Sequence, residues 1–121
     1  MTGAVVRALA MLVLTATASL AAAHAFLDHA SPRVGSKVHG SPPEVALTFT
    51  QELEPAFSTI RVIDRDGKQV DRGDKRVDPS DRSILRVSLQ PLAPGAYRVQ
   101  WRVLSADTHV TEGDYSFTVQ P

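Results

Sequence analysis

From residue 44 onward, apolar and polar side chains alternate in short runs along much of the chain. Alternation with a period of two predicts β-strands that bury one face, and the proline, glycine and aspartate between the runs predict turns. In the clearest run Trp101 is expected to fill the core between two sheets. The predicted strands are residues 44–50, 59–64, 83–89, 97–104 and 114–119.

The intervening segments lack this alternation. Ser31-Pro32 and Ser41-Pro42-Pro43 interrupt the early part of the chain, and residues 68–82 are charged throughout. The charged segment indicates a solvated loop or a ragged edge hairpin. No long apolar stripe with the 3.6-residue period of a helix follows residue 23. The sequence therefore predicts an all-β domain, a Greek-key antiparallel β-sandwich or barrel.

Residues 1–23 have the pattern of a secretory signal peptide, with a basic start, an apolar middle and three alanines at positions 21–23. The apolar middle is short for a membrane span, which needs about 20 apolar residues, and a retained anchor is the alternative. We expect residues 24–121 to form one exported, periplasmic domain with no membrane span. Cleavage after Ala23 would leave His24 first, whereas cleavage after Ala25 would remove it.

Charge and cysteine content argue against a nucleic-acid-binding protein and against a disulfide-stabilised domain. The chain has 13 basic and 13 acidic side chains and no cysteine. Nucleic-acid binders usually carry a basic patch, so we expect no nucleic-acid partner. Without disulfides, stability has to come from the apolar core and from any bound metal. We expect a monomer.

Asp107 and His109 are the candidate chemical pair, two residues apart between two predicted strands. If this stretch is extended, both side chains point to the same face. A surface hydrogen-bonded pair is the ordinary explanation, and half of a metal site is the alternative. The other half could be His24, whose α-amine and imidazole can chelate one ion together. Three nitrogens and one carboxylate oxygen suit the tetragonal preference of Cu(II).

Two other histidines lie in segments without strand alternation. His29 and His39 are both expected to be ordinary exposed side chains. An approach of His29 to the same site stays open.

Five stretches and one glycine together form a more specific pattern than strand alternation: 24–27 (HAFL), 31–32 (SP), 47–50 (LTFT), 94–109 (PGAYRVQWRVLSADTH) and 117–119 (FTV), with Gly113. This pattern resembles the CopC family of periplasmic copper-resistance proteins. The resemblance implies a cupredoxin-like, Ig-like β-barrel and a Cu(II) site formed by the amine and imidazole of His24 with Asp107 and His109, one ion per chain. It also implies a CopD-like inner-membrane copper permease as a partner.

The sequence departs from the family pattern at three places. Phe26 stands where some members have a second histidine, and Gln51 follows Phe49-Thr50 where others have a glutamate, with Glu52 displaced by one residue. The two methionines, Met1 and Met11, both lie in the predicted signal peptide. Without thioether ligands in the mature chain we expect no Cu(I) site.

Three classes of function remain at this point. The leading hypothesis is a non-enzymatic carrier that sequesters Cu(II) or delivers it to a permease. The second is a small copper-brace oxidase of the polysaccharide monooxygenase type, although the chain is short for a substrate platform and Asp107 would help to saturate the metal. The third is a purely structural β-sandwich module.

Overall fold

The computed structural model describes residues 25–121, within which eight β-strands and one short 3₁₀ helix, Pro55–Phe57, are found. The predicted signal peptide and His24 lie outside the described residues. No helix among residues 25–121 is long and apolar enough to cross a membrane. The strands are β1 (Leu27–Ser31), β2 (Lys37–His39), β3 (Glu44–Phe49), β4 (Thr59–Ile63), β5 (Arg76–Val77), β6 (Ile84–Ser88), β7 (Gly95–Leu104) and β8 (Val110–Gln120).

The strands form two four-stranded sheets, in the orders β1-β3-β6-β5 and β2-β8-β7-β4. Alternate residues of the central strands face inward and are buried, because each strand packs one face against the opposite sheet. The prediction of an all-β sandwich is confirmed. The core includes Val45, Leu47, Phe49, Val62, Leu85, Val87, Val99, Val103, Tyr115 and Phe117.

The β7–β8 hairpin is the longest ladder of the fold in the described residues. Its antiparallel pairing runs from Gly95 opposite Val119 to Leu104 opposite Val110. Strand β8 therefore begins at Val110, four residues before the predicted start at 114. The alternation of apolar residues begins only at Tyr115, but backbone pairing with β7 extends the strand toward the connecting turn.

Three short strands are absent from the sequence prediction. Strands β1, β2 and β5 have few buried side chains, so their alternation is weak and backbone pairing defines them. Strand β2 runs parallel to β8, with Val38 opposite Val119. All other strand pairs are antiparallel. The expectation of a wholly antiparallel sandwich is therefore wrong for the pair β2–β8.

The prediction of a solvated loop at residues 68–82 is wrong for its first part. The N–H of Val70 donates to the carbonyl of Val62 in β4, and the N–H of Arg72 donates to that of Ser88 in β6. Since β4 and β6 belong to different sheets, this segment crosses from one sheet to the other along the edge of the sandwich. Val70 joins the core, and the charged residues around it conceal its burial in the sequence. The later part, with β5 on the edge of β6, fits the alternative of an edge hairpin.

Candidate metal centre

The segment 105–109 is the connection at the tip of the β7–β8 hairpin. It forms a tight turn and is not extended: the N–H of Ser105 donates to the carbonyl of His109 at 2.9 Å, and the N–H of Thr108 donates to that of Ser105 at 2.9 Å. Thr108 has a φ of 72°, in the left-handed region that L-residues rarely adopt. The condition of an extended segment, on which the shared-face argument depends, is therefore not met.

The turn nevertheless brings the two candidate side chains together. Nδ1 of His109 lies 3.3 Å from Oδ1 of Asp107, and the side chains are 46% and 41% exposed. The two side chains lie close together, but a turn and not strand alternation brings them there. The pair is accessible from solvent and lies at the end of the β7–β8 ladder.

Ser105 stabilises this turn through its buried hydroxyl. Its side chain is fully buried, and its hydroxyl donates a hydrogen bond to Oδ1 of Asp107. This hydrogen bond is the main reason that the pKa of the Asp107 carboxyl lies below its usual value. Partial loss of water acts in the opposite direction, and His109 adds to the lowering. The carboxylate is thus kept ionised, as a metal ligand must be.

The start of the described chain lies beside the same hairpin. The hydroxyl of Thr111, two residues after His109, donates to the carbonyl of Ala25 at 2.6 Å. The N–H of Phe26 donates to the hydroxyl of Thr50 at 3.0 Å, and Ala25 is fully buried. These contacts fix the backbone that directly follows His24 against the strand that directly follows the Asp107-His109 turn.

Of the remaining candidates, Glu52 contacts the hairpin tip through its backbone, and neither His29 nor His39 joins the Asp107-His109 pair. His29 is exposed in β1, with Nδ1 at 2.9 Å from Oδ2 of Asp28, and His39 is in β2 with Nδ1 at 3.4 Å from the carbonyl of Pro121. Glu52 contributes its backbone carbonyl to the N–H of Ala106 at 2.9 Å. Within residues 25–121 no group of three or more His, Asp or Glu side chains is placed to hold a metal ion. His29 therefore does not join Asp107 and His109.

Trp101 is less enclosed than predicted. It is only partly buried and packs against the core, edge-on to Phe49, with ring centroids 6.2 Å apart. On the paired strand it faces Gly113, where an added Cβ would lie 2.5 Å from Cζ2 of the indole. The glycine thus provides the space that the indole occupies.

Comparison with known proteins agrees with this architecture. Residues 27–120 match the model of the CopC domain, which is nearly all of the described chain. The chain belongs to the CopC family. The resemblance seen in the sequence is confirmed.

This CopC domain is similar to two solved structures and to part of a longer copper transport protein. CopC from Methylosinus trichosporium OB3b superimposes with a TM-score of 0.76 at 42% identity, covering 81% of this chain and 95% of that one. PcoC, described as a methionine-rich copper resistance protein from Escherichia coli, gives 0.68 at 31%, covering 81% and 100%. The copper transport protein CutJ of Bacillus subtilis is 30% identical over 98 residues, which are 80% of this chain but 18% of CutJ.

Two residues of this CopC domain that support the candidate site were not predicted from the sequence. Ser105 directly follows β7 and continues its alternation at an inward-facing position, and Thr111 precedes the apolar alternation of β8. The polar side chain of Ser105 at an inward-facing position was the available signal, because a buried hydroxyl needs a partner. Thr111 gave no such signal, since its partner, the carbonyl of Ala25, is far away in the sequence.

Proposed function

We propose that this chain binds one Cu(II) ion through His24, Asp107 and His109, and that it does so as an exported, periplasmic carrier. One observation carries the proposal. Asp107 and His109 are adjacent at the hairpin tip, and Thr111 ties Ala25 to the same hairpin by a hydrogen bond of 2.6 Å. The described backbone thus begins at this contact, with the residue that follows the proposed N-terminal ligand.

The proposed ligand set depends on processing after Ala23. A chain that begins at His24 offers an α-amine and an imidazole from one residue, and Asp107 and His109 add an oxygen and a nitrogen. This set matches the preference of Cu(II) for nitrogen and oxygen ligands in a tetragonal arrangement. Because Nδ1 of His109 is turned toward Asp107, Nε2 is the proposed ligand atom of that ring.

The oxidation state follows from the ligand types. Cu(I) prefers soft sulfur ligands, and both methionines of this chain lie in residues 1–23. PcoC, by contrast, is described as methionine rich. The proposed carrier therefore holds copper as Cu(II), with no separate Cu(I) site and no enzymatic turnover.

Handover to an inner-membrane copper permease is the proposed fate of the ion. The relative CutJ, named a copper transport protein, is much longer than the part that matches this chain, so there a similar domain belongs to a larger transport chain. Exposed apolar side chains lie on the segments next to the hairpin tip: Val110 directly follows His109, and Phe26 directly follows Ala25, whose carbonyl accepts the hydroxyl of Thr111. Phe57 is also exposed and belongs to the 3₁₀ helix that follows Glu54. The N–H of Glu54 donates to the carbonyl of Leu104, at the end of β7. We propose this face as the one that meets the permease.

Native mass spectrometry of the exported protein, without an N-terminal tag, tests the copper site directly. The expected result is a chain that begins at His24 and holds one Cu(II) after addition of one equivalent. His109→Ala should lose that ion, whereas His29→Ala should keep it, because His29 is also beside an aspartate but outside the proposed site. Adding one glycine before His24 should abolish most binding, since it removes only the chelating amine geometry. A chain that starts at Phe26, or one that ignores copper, would refute the site.

A separate experiment tests the handover. Val110→Ser should slow copper transfer to inner-membrane vesicles that contain the permease, while Cu(II) affinity stays unchanged. Val34→Ser is the matched control, because Val34 is likewise exposed but follows the Pro32 turn. Equal transfer rates for the two variants would argue against this docking face.

A further inference from the structure

Ser105 is connected to both candidate ligands on the hairpin tip. Its hydroxyl donates to Oδ1 of Asp107, and the same oxygen lies 3.2 Å from the N–H of His109, which donates to it. The backbone N–H of Ser105 donates to the carbonyl of His109 at 2.9 Å. One buried side chain therefore fixes the carboxylate of one candidate ligand and the backbone of the other.

The surroundings of Ser105 make it a fixed support. The residue is fully buried, and its backbone forms a β-bridge with Leu53. The next residue, Ala106, donates its N–H to the carbonyl of Glu52 at 2.9 Å. The turn that Ser105 closes includes Thr108 in its left-handed conformation, so the turn depends on such contacts to keep its shape.

We propose that Ser105 is the positioning residue of the metal centre, holding Asp107 and His109 in their ligating arrangement before the ion arrives. This inference rests on the proposed function, in which Asp107 and His109 are ligands. Partners behind metal ligands fix their orientation, and their removal typically lowers metal affinity by about 10–100-fold. Without the hydroxyl, the Asp107 carboxylate loses its buried donor and the N–H of His109 loses its acceptor.

The chain offers a matched control for this role in Ser58. Ser58 is also fully buried, and its hydroxyl donates to the carbonyl of Glu54 at 2.8 Å. It accepts the N–H of Leu104 at 3.2 Å, and Leu104 is the last residue of β7 and directly precedes Ser105. Both serines are thus fully buried beside the end of β7, and each hydroxyl donates a hydrogen bond and accepts a backbone N–H, but the hydrogen bonds of Ser58 go to neither Asp107 nor His109.

The experiment compares Ser105→Ala with Ser58→Ala in the processed protein, by competition for Cu(II) with a chelator of known affinity. Ser105→Ala should weaken Cu(II) binding by about 10–100-fold and change the hyperfine splitting of the Cu(II) electron paramagnetic resonance spectrum. Ser58→Ala should lose similar thermal stability yet keep the affinity and the spectrum of the parent. Ser105→Thr, which keeps the hydroxyl, should restore both.

The outcomes separate this inference from the proposed function. If the parent binds Cu(II) and His109→Ala does not, but Ser105→Ala behaves like Ser58→Ala, the positioning role is overturned and the copper site stands. If the parent itself fails to bind Cu(II), the proposed function fails and the inference fails with it. Should either alanine variant be unfolded, Ser105→Thr against the parent gives the decision, since a changed spectrum with the hydroxyl retained would contradict the proposal.

Discussion

The hydroxyl of Thr111 donates a hydrogen bond of 2.6 Å to the carbonyl of Ala25, which lies 86 residues earlier in the chain. It joins the backbone after His24 to the strand after His109. Thr111→Val keeps the shape of the side chain but removes this donor, so the proposed N-terminal ligand should be held less firmly. A typical hydrogen bond contributes about 1 kcal/mol, and we expect Cu(II) affinity to fall by about 3–10-fold.

Competition with a chelator measures this effect. Thr118→Val is the control, because Thr118 lies on the same strand beside Lys37, far from the hairpin tip. It should leave Cu(II) affinity unchanged. Equal affinities for the two variants would show that the Ala25 contact does not support the site.

Copper affinity should fall as the pH is lowered. An α-amine has a reference pKa of about 7.7–8.0 and must lose its proton to bind, so affinity should drop by at least about tenfold per pH unit below that range. Asp107 does not contribute to this drop between about pH 5 and pH 8, because the Ser105 hydroxyl holds its pKa below the ordinary 3.8. Chelator competition across this range measures the slope, and a flat profile would exclude the amine as a ligand.

Asp71 should be important for stability and not for copper. Its carboxylate is buried and accepts the N–H of Val62 at 2.8 Å, the side-chain amide of Gln69 at 3.0 Å and the N–H of Gly73 at 2.9 Å. Asp71→Ala leaves the buried N–H of Val62 without a partner, at a cost of about 1–3 kcal/mol, and also removes two partly buried hydrogen bonds. We expect a loss of about 2–5 kcal/mol in the free energy of unfolding, measured by urea denaturation.

The exposed Asp66, on the turn after β4, provides the comparison for Asp71. Asp66→Ala should change the free energy of unfolding by less than about 0.5 kcal/mol. If Asp71→Ala lowered the free energy of unfolding as little as Asp66→Ala does, the hydrogen bonds of Asp71 would contribute little to stability.

Gly113→Ala should disturb the packing of Trp101. The new Cβ would lie 2.5 Å from Cζ2 of the indole, so the ring has to move. Overpacking of this kind costs about 1–3 kcal/mol. The chain has one tryptophan, so its fluorescence spectrum reports the displacement. Glu112→Ala, next to it on the exposed side of β8, should leave both stability and emission unchanged; an unaltered spectrum in Gly113→Ala would contradict the packing argument.

Much of the fold could be predicted because its central strands bury one face. The alternation of Val45, Leu47 and Phe49 in β3 is visible in the sequence and matches their burial. Strand β2 could not be found in this way, since Val38 is its one partly buried residue and its pairing with β8 is a backbone interaction between distant segments. The burial of Val70 could not be predicted either, because charged residues surround it in the sequence and its segment crosses from one sheet to the other.

For the metal centre, residue types and spacing predicted the pair but not its geometry. Asp107 and His109 are brought together by a turn that requires Thr108 in a left-handed conformation, and nothing in the side chain of threonine indicates that. The support from Ser105 became apparent only when the turn placed its hydroxyl below both residues. His24 lies outside the described residues and stays a prediction.

The hairpin formed by β7 and β8 also sets the order in which the proposed centre is assembled during folding. Residues 105–109 join neighbouring strands, so Asp107 and His109 meet as soon as the hairpin closes, at a small cost in chain entropy. The contact between Ala25 and Thr111 closes a far longer loop, and long-range contacts of this kind form late. We expect a newly exported chain to carry half of its ligands first and to gain the rest with the final docking of its N-terminus. Copper capture would then mark the completion of folding.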